Sequence, residues 1–360
     1  MPAKENTGFT LTQLTHFSRQ AVKYGSIALV TLMIGRILVT GFITYWKATH
    51  PAPPPPPTVG FGKLPTLRFD IRTDDEKPSS YKLETISGST PEFGDRAKVY
   101  FMPKASASLL ADQNAKNIAA KYNFVFEPEV LGTETYRWTK SKPLASNLEM
   151  NTRNLNFRFT TNYLSHPEFL VNTQTPSGIE AVNDVKKFLD KAELLPEDVA
   201  SASAEVVFLK SLGGELAPAA SQSDADFIQV DIDRIAIDQV YKMYSPEGYQ
   251  ASIRAVLTGA LDGGVDSIVE LEMNHNEVDY DQVHTYPLRS SRSAWQILQA
   301  GEGYIASKGK SDQAIVRKVS LGYYDDFEEQ EYLQPIYIFE NEDDGFLGYV
   351  SALDPVYVQK

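Results

Sequence analysis

The sequence predicts an α+β protein in three unlike parts: a membrane-spanning helix, a proline-rich spacer and a large water-facing body. Three observations carry this. Gly25–Trp46 is a nearly unbroken apolar run. It is followed at once by Pro51-Ala-Pro-Pro-Pro-Pro-Pro57. Beyond the prolines, short stretches of apolar/polar alternation recur, interrupted by three amphipathic helical segments that each lead into strands.

As a helix, residues 25–46 reach about 33 Å, enough to cross a bilayer core. The run exceeds the apolar core of a secretory signal, and Lys47-Ala-Thr-His50 offers no small-x-small cleavage site, so the segment is expected to stay attached. The tail 1–24 carries Lys4, Arg19 and Lys23 against the single acid Glu5. Leu11, Leu14 and Val22 fit one face of a short helix lying along the membrane surface. The basic bias places the N-terminus in the cytoplasm and the C-terminal body outside, with Tyr45 and Trp46 at the outer interface.

Arg36 stands near mid-membrane, where an arginine costs about 2.5 to 3.5 kcal/mol on insertion scales. Arg36, Thr40 and Thr44 follow at i, i+4 and i+8 on one helix face, and Gly41 beside them permits close approach of another helix. One reading is an arginine that snorkels to the interface. The other is lateral contact with a partner helix that carries an acid or exposed carbonyls.

Residues 47–65 read as a spacer. Pro51–Pro57 favours polyproline II, which holds the body about 20 Å off the membrane at about 3.1 Å per residue. A proline-rich ligand for a partner domain is the alternative. Gly60 and Gly62 make Thr58–Lys63 a flexible end to the rod.

The remaining chain is long enough for one large or two ordinary domains. Over all 360 residues, 42% hydrophobic and 22% charged are globular values,. A net charge of −13 argues against a nucleic-acid partner,. The absence of cysteine excludes thiol catalysis, disulfides and cysteine-based zinc sites,.

In chain order, strands are expected at Leu67–Ile71, Tyr81–Ile86 and Val99–Met102. The first module, 66–170, then has a helix on Ala111, Ala115, Ile118, Ala119 and Tyr122. Alternating strands follow on Tyr136/Trp138 and Leu155/Phe157/Phe159, with a turn at Asn151–Asn154. The second, 171–288, opens a helix at Pro176-Ser177 with Val182, Val185, Leu189 and Ala192 inward, limited by Pro196. Strands follow at Glu205–Lys210, Ile228–Ile232, Ala251–Leu257 and Ser267–Met273, with a Gly/Ala/Ser-rich loop over Leu212–Asp224. The third, 289–360, starts a helix at Ser291 that buries Ala294, Trp295 and Leu298 and is capped by Gly301. Its strands are Ala314–Tyr324, Leu333–Glu340 and Phe346–Ala352. The architecture is helix-plus-antiparallel-hairpin modules, each helix covering a sheet face.

Few residues suggest chemistry. His275 and His284 flank Asp279 and Asp281, a nitrogen and carboxylate set conceivable for a metal, but the spacing matches no zinc signature and two ligands on a hairpin need two more from elsewhere, so the stretch reads as a solvated polar edge. Asp231 and Asp233 read as solvent-facing carboxylates on a strand. Asp325–Glu329 and Glu342–Asp344 read as solvated turns, since they lack the glycine and bidentate glutamate of a calcium loop. No nucleophile elbow, phosphate loop or dinucleotide fingerprint occurs. Tyr323, Tyr324, Tyr332 and Tyr337 read as half-buried strand packing, some of them available to line an interaction groove.

The C-terminal order SSRSAWQILQAGEGYI, IVRKVSLGYYD, YLQPIYIFEN resembles the repeating unit of YycH/YycI-type extracytoplasmic regulators and PepSY-type domains. AKNIAAKYNFVFEPEVLGTETYRW is similar to a degenerate copy. The proline spacer and tail motifs also resemble membrane-anchored proteins of small-genome candidate-phylum bacteria. The resemblance implies a single N-terminal span and an exported α+β body that binds and restrains a sensor kinase or a cell-envelope hydrolase without doing chemistry. Its motifs are packing motifs and carry no site residue across.

The functional expectation is a non-catalytic, membrane-anchored binding, regulatory or scaffolding protein of the cell envelope. No cofactor is expected, and Arg36, Thr40, Gly41 and Thr44 are its candidate contact within the membrane. The rival readings are a metal-dependent cell-envelope hydrolase using His275, His284 and nearby acids, and a structural surface spacer.

Overall fold

Helix α1 spans Leu11–Thr49 without a break. The computed structural model describes residues 11–50, 55–69, 77–105, 108–142, 144–166, 174–261 and 264–359. It divides into two compact units, Met1–Pro56 and Pro57–Lys360. Within α1, Leu14–Lys47 is long and apolar enough to cross a membrane. Its described side chains are exposed throughout. The separate surface helix expected around Leu11–Val22 is simply the first turns of α1. No proline interrupts α1, and Gly25, where the two expected helices would join, costs only about 1 kcal/mol,. Part of the expected polyproline rod, Pro51–Pro54, lies outside the described residues.

The second unit is α+β and mostly sheet. Its strands are β1 (Ser80–Leu83), β2 (Arg96–Phe101), β3 (Glu129–Val130), β4 (Thr135–Lys140), β5 (Ser146–Asn151), β6 (Phe157–Thr161), β7 (Ala204–Leu212), β8 (Glu215–Pro218) and β9 (Phe227–Ile232). They continue with β10 (Met243–Tyr244), β11 (Ile253–Thr258), β12 (Ile268–Met273), β13 (Asp279–Pro287), β14 (Tyr304–Lys308), β15 (Gln313–Val316), β16 (Lys318–Tyr324), β17 (Tyr332–Asn341) and β18 (Phe346–Ser351). The helices are α2 (Ala111–Lys121), α3 (Gly178–Lys191), the single turn α4 (Glu197–Ala200) and α5 (Ser291–Gln299).

A nine-stranded antiparallel sheet runs β3-β4-β5-β6-β12-β11-β9-β7-β8. Strands from the first two expected modules therefore share one sheet, joined where β6 pairs with β12. Helices α2 and α3 cover one face, packing Ile118, Val185, Phe188 and Leu189 onto Trp138, Leu148, Phe159, Val230 and Leu271. Each large apolar side chain so buried is worth about 1.5–3 kcal/mol. Helix α3 starts in a capping box: Ser177 Oγ accepts from the Glu180 amide, and the Glu180 carboxylate accepts from the Ser177 amide,. The inward stripe is Ala181, Val185, Phe188 and Leu189, with Val182 at its margin. A register shift between Val256 and Leu257 displaces the β11–β12 ladder. As a result Ile268 and Leu271 join the helix-side core, while Val269 faces the opposite cluster with Val256 and Phe227,.

The second sheet has seven strands, β10-β16-β17-β18-β14 with β2 bridging β17 to β13. Helix α5 closes one face, with Trp295 against Phe339. Gly301, at φ 78°, follows its C-cap as the sequence predicts,. Tyr323, Tyr324 and Tyr337 are wholly buried core residues, not half-buried groove residues. The Tyr323 and Tyr337 hydroxyls donate to the Lys98 and Arg289 carbonyls,. The hairpins are not all antiparallel neighbours, since β1–β15 and β10–β16 pair in parallel.

Other expectations need correction. The loop Leu212–Asp224 contains β8, folded back on β7 through Gly213 and Gly214, both at positive φ,. Thr58–Lys63 is no loose linker. The Val59 amide donates to the Thr285 carbonyl, Phe61 meets the His284 ring edge-on, and Leu64 is fully buried. Gly60 is required there, because a Cβ would sit 2.2 Å from the His284 ring. The outer edge of β13 supplies the unpaired backbone groups that capture this segment.

Candidate functional site

The two sheets of the second unit meet at a polar knot built on Arg234. Arg234 follows β9, and its side chain is 2% exposed. Its Nε donates to Asp198 Oδ2 at 2.8 Å, and its Nη1 donates to Asp325 Oδ2 at 3.0 Å. Asp198 lies on α4 beside the nine-stranded sheet, whereas Asp325 follows β16 of the seven-stranded sheet. One guanidinium thus ties both sheets together.

Asp198 also accepts from the Tyr280 hydroxyl at 3.0 Å, and His275 Nε2 lies 2.9 Å from its Oδ1. Burial alone would raise the Asp198 carboxyl. The hydrogen bond from His275 and the charge of Arg234 overcome that and hold it well below the usual carboxylate range,. An ionised Asp198 has no proton to give, so His275 Nε2 carries the hydrogen of this contact. For Arg234, burial opposes the charge, and Asp325 and Asp198 restore it. The backbone of His275 is fixed by donation to Asn156 Oδ1 at 3.0 Å.

Beside the knot opens a cleft of about 650 Å³. Asp198, His275 and Tyr280 form part of its wall. Arg153, from the β5–β6 turn, makes a second tie across it: Nη2 lies 3.2 Å from Glu329 Oε2 and Nε donates to the Ala105 carbonyl. Met102, Met273 and Val278 supply apolar wall. Lys104, Glu197 and Glu277 are exposed on the rim, with no ion pair among the described residues. A second, more apolar recess of about 480 Å³ is lined by Tyr100, Ile235 and Ile237. Asp198 and Tyr280 belong to both walls, so the recess extends the cleft past the Tyr280 ring.

Asp233 lies next to the knot. Its Oδ1 accepts from the Arg234 amide at 3.0 Å, and its Oδ2 accepts from the Tyr249 hydroxyl. Burial pushes its carboxyl up to about 6, against the opposing Arg234 amide bond and the charges of Lys242 and Arg234,.

This arrangement corrects several expectations. Asp233 is not a wet strand carboxylate, although Asp231 does meet Arg254 at the surface. Asp325 and Glu329 are not a solvated turn; they are ion-paired to Arg234 and Arg153. His275 is not on a solvated edge, being 11% exposed and bonded to Asp198. His284 instead meets Thr58 and Phe61, and Asp279 accepts from Gln282 and the Asp281 amide within its own strand. The two histidines therefore serve different contacts. Among the described residues no group of three His, Asp or Glu side chains is arranged to hold a metal ion. Glu342 and Asp343 pair with Lys318 and Arg317 on the surface.

In α1, Arg36, Thr40 and Thr44 share one exposed face. The Thr40 hydroxyl donates to the Arg36 carbonyl and the Thr44 hydroxyl to the Thr40 carbonyl, each at 2.8 Å. Their hydrogens are thus used within the helix, and only acceptor capacity remains for a partner. Nothing lies within 4 Å of a Cβ placed on Gly41.

Sequence reasoning missed Arg234, Asp198 and Tyr280. They come from three segments far apart in the chain, and no local spacing marks them. The one available signal was Arg234 itself, a lone cation between Ile232 and Ile235 at the end of a strongly alternating strand. No protein-family model matches the chain, and no curated protein is similar to it in sequence.

Proposed function

We propose that this chain is a membrane-anchored extracytoplasmic binding and regulatory protein whose inter-sheet cleft takes a polypeptide segment of a cell-envelope or membrane partner. The N-terminus is cytoplasmic, the proline-rich spacer holds the body off the bilayer, and the helix-and-hairpin body presents the cleft. The observation that carries this reading is the cleft's composition. It has rigid ion-paired walls, an apolar extension beyond Tyr280, and exposed unpaired charges of both signs on the rim. Such a surface suits a peptide, which offers apolar side chains, charged side chains and backbone groups together.

One observation favours a second reading. The Asp198–His275 pair faces the cleft and has the form of an oriented general base, which points to hydrolysis of an envelope substrate without a metal. A photo-crosslinking side chain at Glu277 separates the readings when compared with one at Glu215 on edge strand β8. Binding predicts a discrete protein adduct from position 277 that is absent from 215 and is weakened by Tyr280→Ala. Equal or absent adducts contradict it. So does an envelope-hydrolysing activity that His275→Ala abolishes.

A further inference from the structure

A second groove, of about 680 Å³, opens at one end of strands β4, β5 and β6. Cross-strand register places Lys140, Ser146 and Thr161 side by side on one face of the sheet,. Thr139, Asn147 and Thr160 form the matching row on the other face. Further along the same strands, the corresponding inward positions are Trp138, Leu148 and Phe159, so the apolar core gives way to hydroxyls, an amide and one cation where the groove begins.

Among the described residues, Lys140 is the only charged one lining this groove, in a chain whose net charge is −13. Its Nζ sits 4.6 Å from the centre of the Phe124 ring and donates to the Tyr122 carbonyl at 3.3 Å. No carboxylate is within ion-pair distance among the described residues. Burial lowers its pKa, and the charge of Asp266 partly offsets this. Thr161 lines the groove, and its buried hydroxyl has no hydrogen-bond partner among the described residues. Phe126, 74% exposed, contributes an aromatic ring to the lining.

Neutral donors and acceptors in rows, one exposed ring and one unneutralised cation are together poorly suited to an apolar peptide. They are also too weakly charged for a nucleic acid, which needs several phosphate contacts. They suit a polyhydroxylated ligand: hydroxyls exchange hydrogen bonds with Ser, Thr and Asn, the C–H face of a sugar lies on the ring, and a carboxylate meets the ammonium. We infer that this groove binds an acidic polysaccharide strand, with Phe126 and Asn147 as contacts to the sugar and Lys140 as the contact to its carboxylate. This site is separate from the inter-sheet cleft and stands whether or not that cleft binds a protein.

The test is calorimetric titration of the full chain in lipid nanodiscs, which avoids sugar-based detergents. The probes are tetragalacturonate, neutral cellotetraose and sodium acetate. Tetragalacturonate is expected to bind about tenfold more tightly than cellotetraose, and acetate not to compete. Phe126→Ala and Asn147→Ala, both at exposed positions, should each weaken the oligomer by about tenfold with unchanged thermal unfolding. Lys140→Gln should erase the preference for acid over neutral sugar. The inference is overturned if neither oligosaccharide binds, if acetate displaces the oligomer, or if Phe126→Ala and Asn147→Ala leave affinity unchanged.

Discussion

Replacing Asp233 by asparagine removes a carboxylate that the fold holds largely out of water, while keeping an oxygen to accept from the Arg234 amide. In the folded protein the Asp233 carboxyl titrates at about 6, against 3.8 for the free side chain, because burial disfavours its charge. A folded-state pKa raised in this way contributes stability that is fully present below about 3.8 and is lost as the pH rises through about 6,. At 1.36 kcal/mol per pH unit, the loss across that window is about 3 kcal/mol. Asp233→Asn carries no such loss. The variant should therefore match the parent near pH 4 and exceed it by about 3 kcal/mol at pH 8, with the gap opening between them. Urea unfolding at a series of pH values, followed by near-ultraviolet circular dichroism, gives both stabilities by linear extrapolation. A stability difference that does not change between pH 4 and pH 8 would refute the assignment of a buried, disfavoured charge at this position.

Other perturbations act on separate contacts of the molecule. Arg234→Met leaves Asp198 and Asp325 without their shared cation, so urea unfolding should show a loss of about 3–5 kcal/mol; a change within 1 kcal/mol, about the worth of an exposed pair, would show that the knot does not hold the sheets. Gly259→Ala places a Cβ 2.2 Å from the Gln174 carbonyl oxygen, a backbone atom with no soft way to yield. Thermal unfolding should fall by the equivalent of about 1–3 kcal/mol, and an unchanged midpoint would contradict the close approach. Arg36→Leu should ease insertion by about 2.5–3.5 kcal/mol in a translocation assay. If the arginine also serves a partner helix, crosslinking from Thr40 disappears while insertion is normal; unchanged crosslinks mean that the residue is only tolerated.

The elements legible in the sequence are those whose own residues decide them. Helix α1 follows from its apolar length, α3 from Ser177 and Glu180 at capping-box spacing, and α5 from Trp295 and Leu298 on one face with Gly301 beyond. Strands β9 and β17 follow from plain alternation or a long apolar run. Strand β13 was not legible, because DYDQVHTYP is stabilised by pairing with β2 and by the captured segment at Thr58–Leu64, both remote in sequence. Strands β5 and β14 are illegible for a similar reason: SNLEMN and YIASK are too short and too polar to declare a face without their neighbours,. The site was less legible than the fold. Asp325 and Glu329 look like a solvated acidic turn until Arg234 and Arg153 arrive from elsewhere. Asp233 looks like an ordinary outward carboxylate until Tyr249 and the second sheet cover it. The burial of a charged residue depends on its partners, and single-sequence periodicity does not report partners that lie far away in the chain.

The proposed topology puts the body outside the membrane and the N-terminus within the cell. Protease added to intact spheroplasts, followed by detection of tags at each end of the chain, measures this. The C-terminal tag is expected to be lost, and a fragment containing the N-terminal tag and the Leu14–Lys47 span to survive. Protection of the C-terminal tag until the membrane is broken would contradict it.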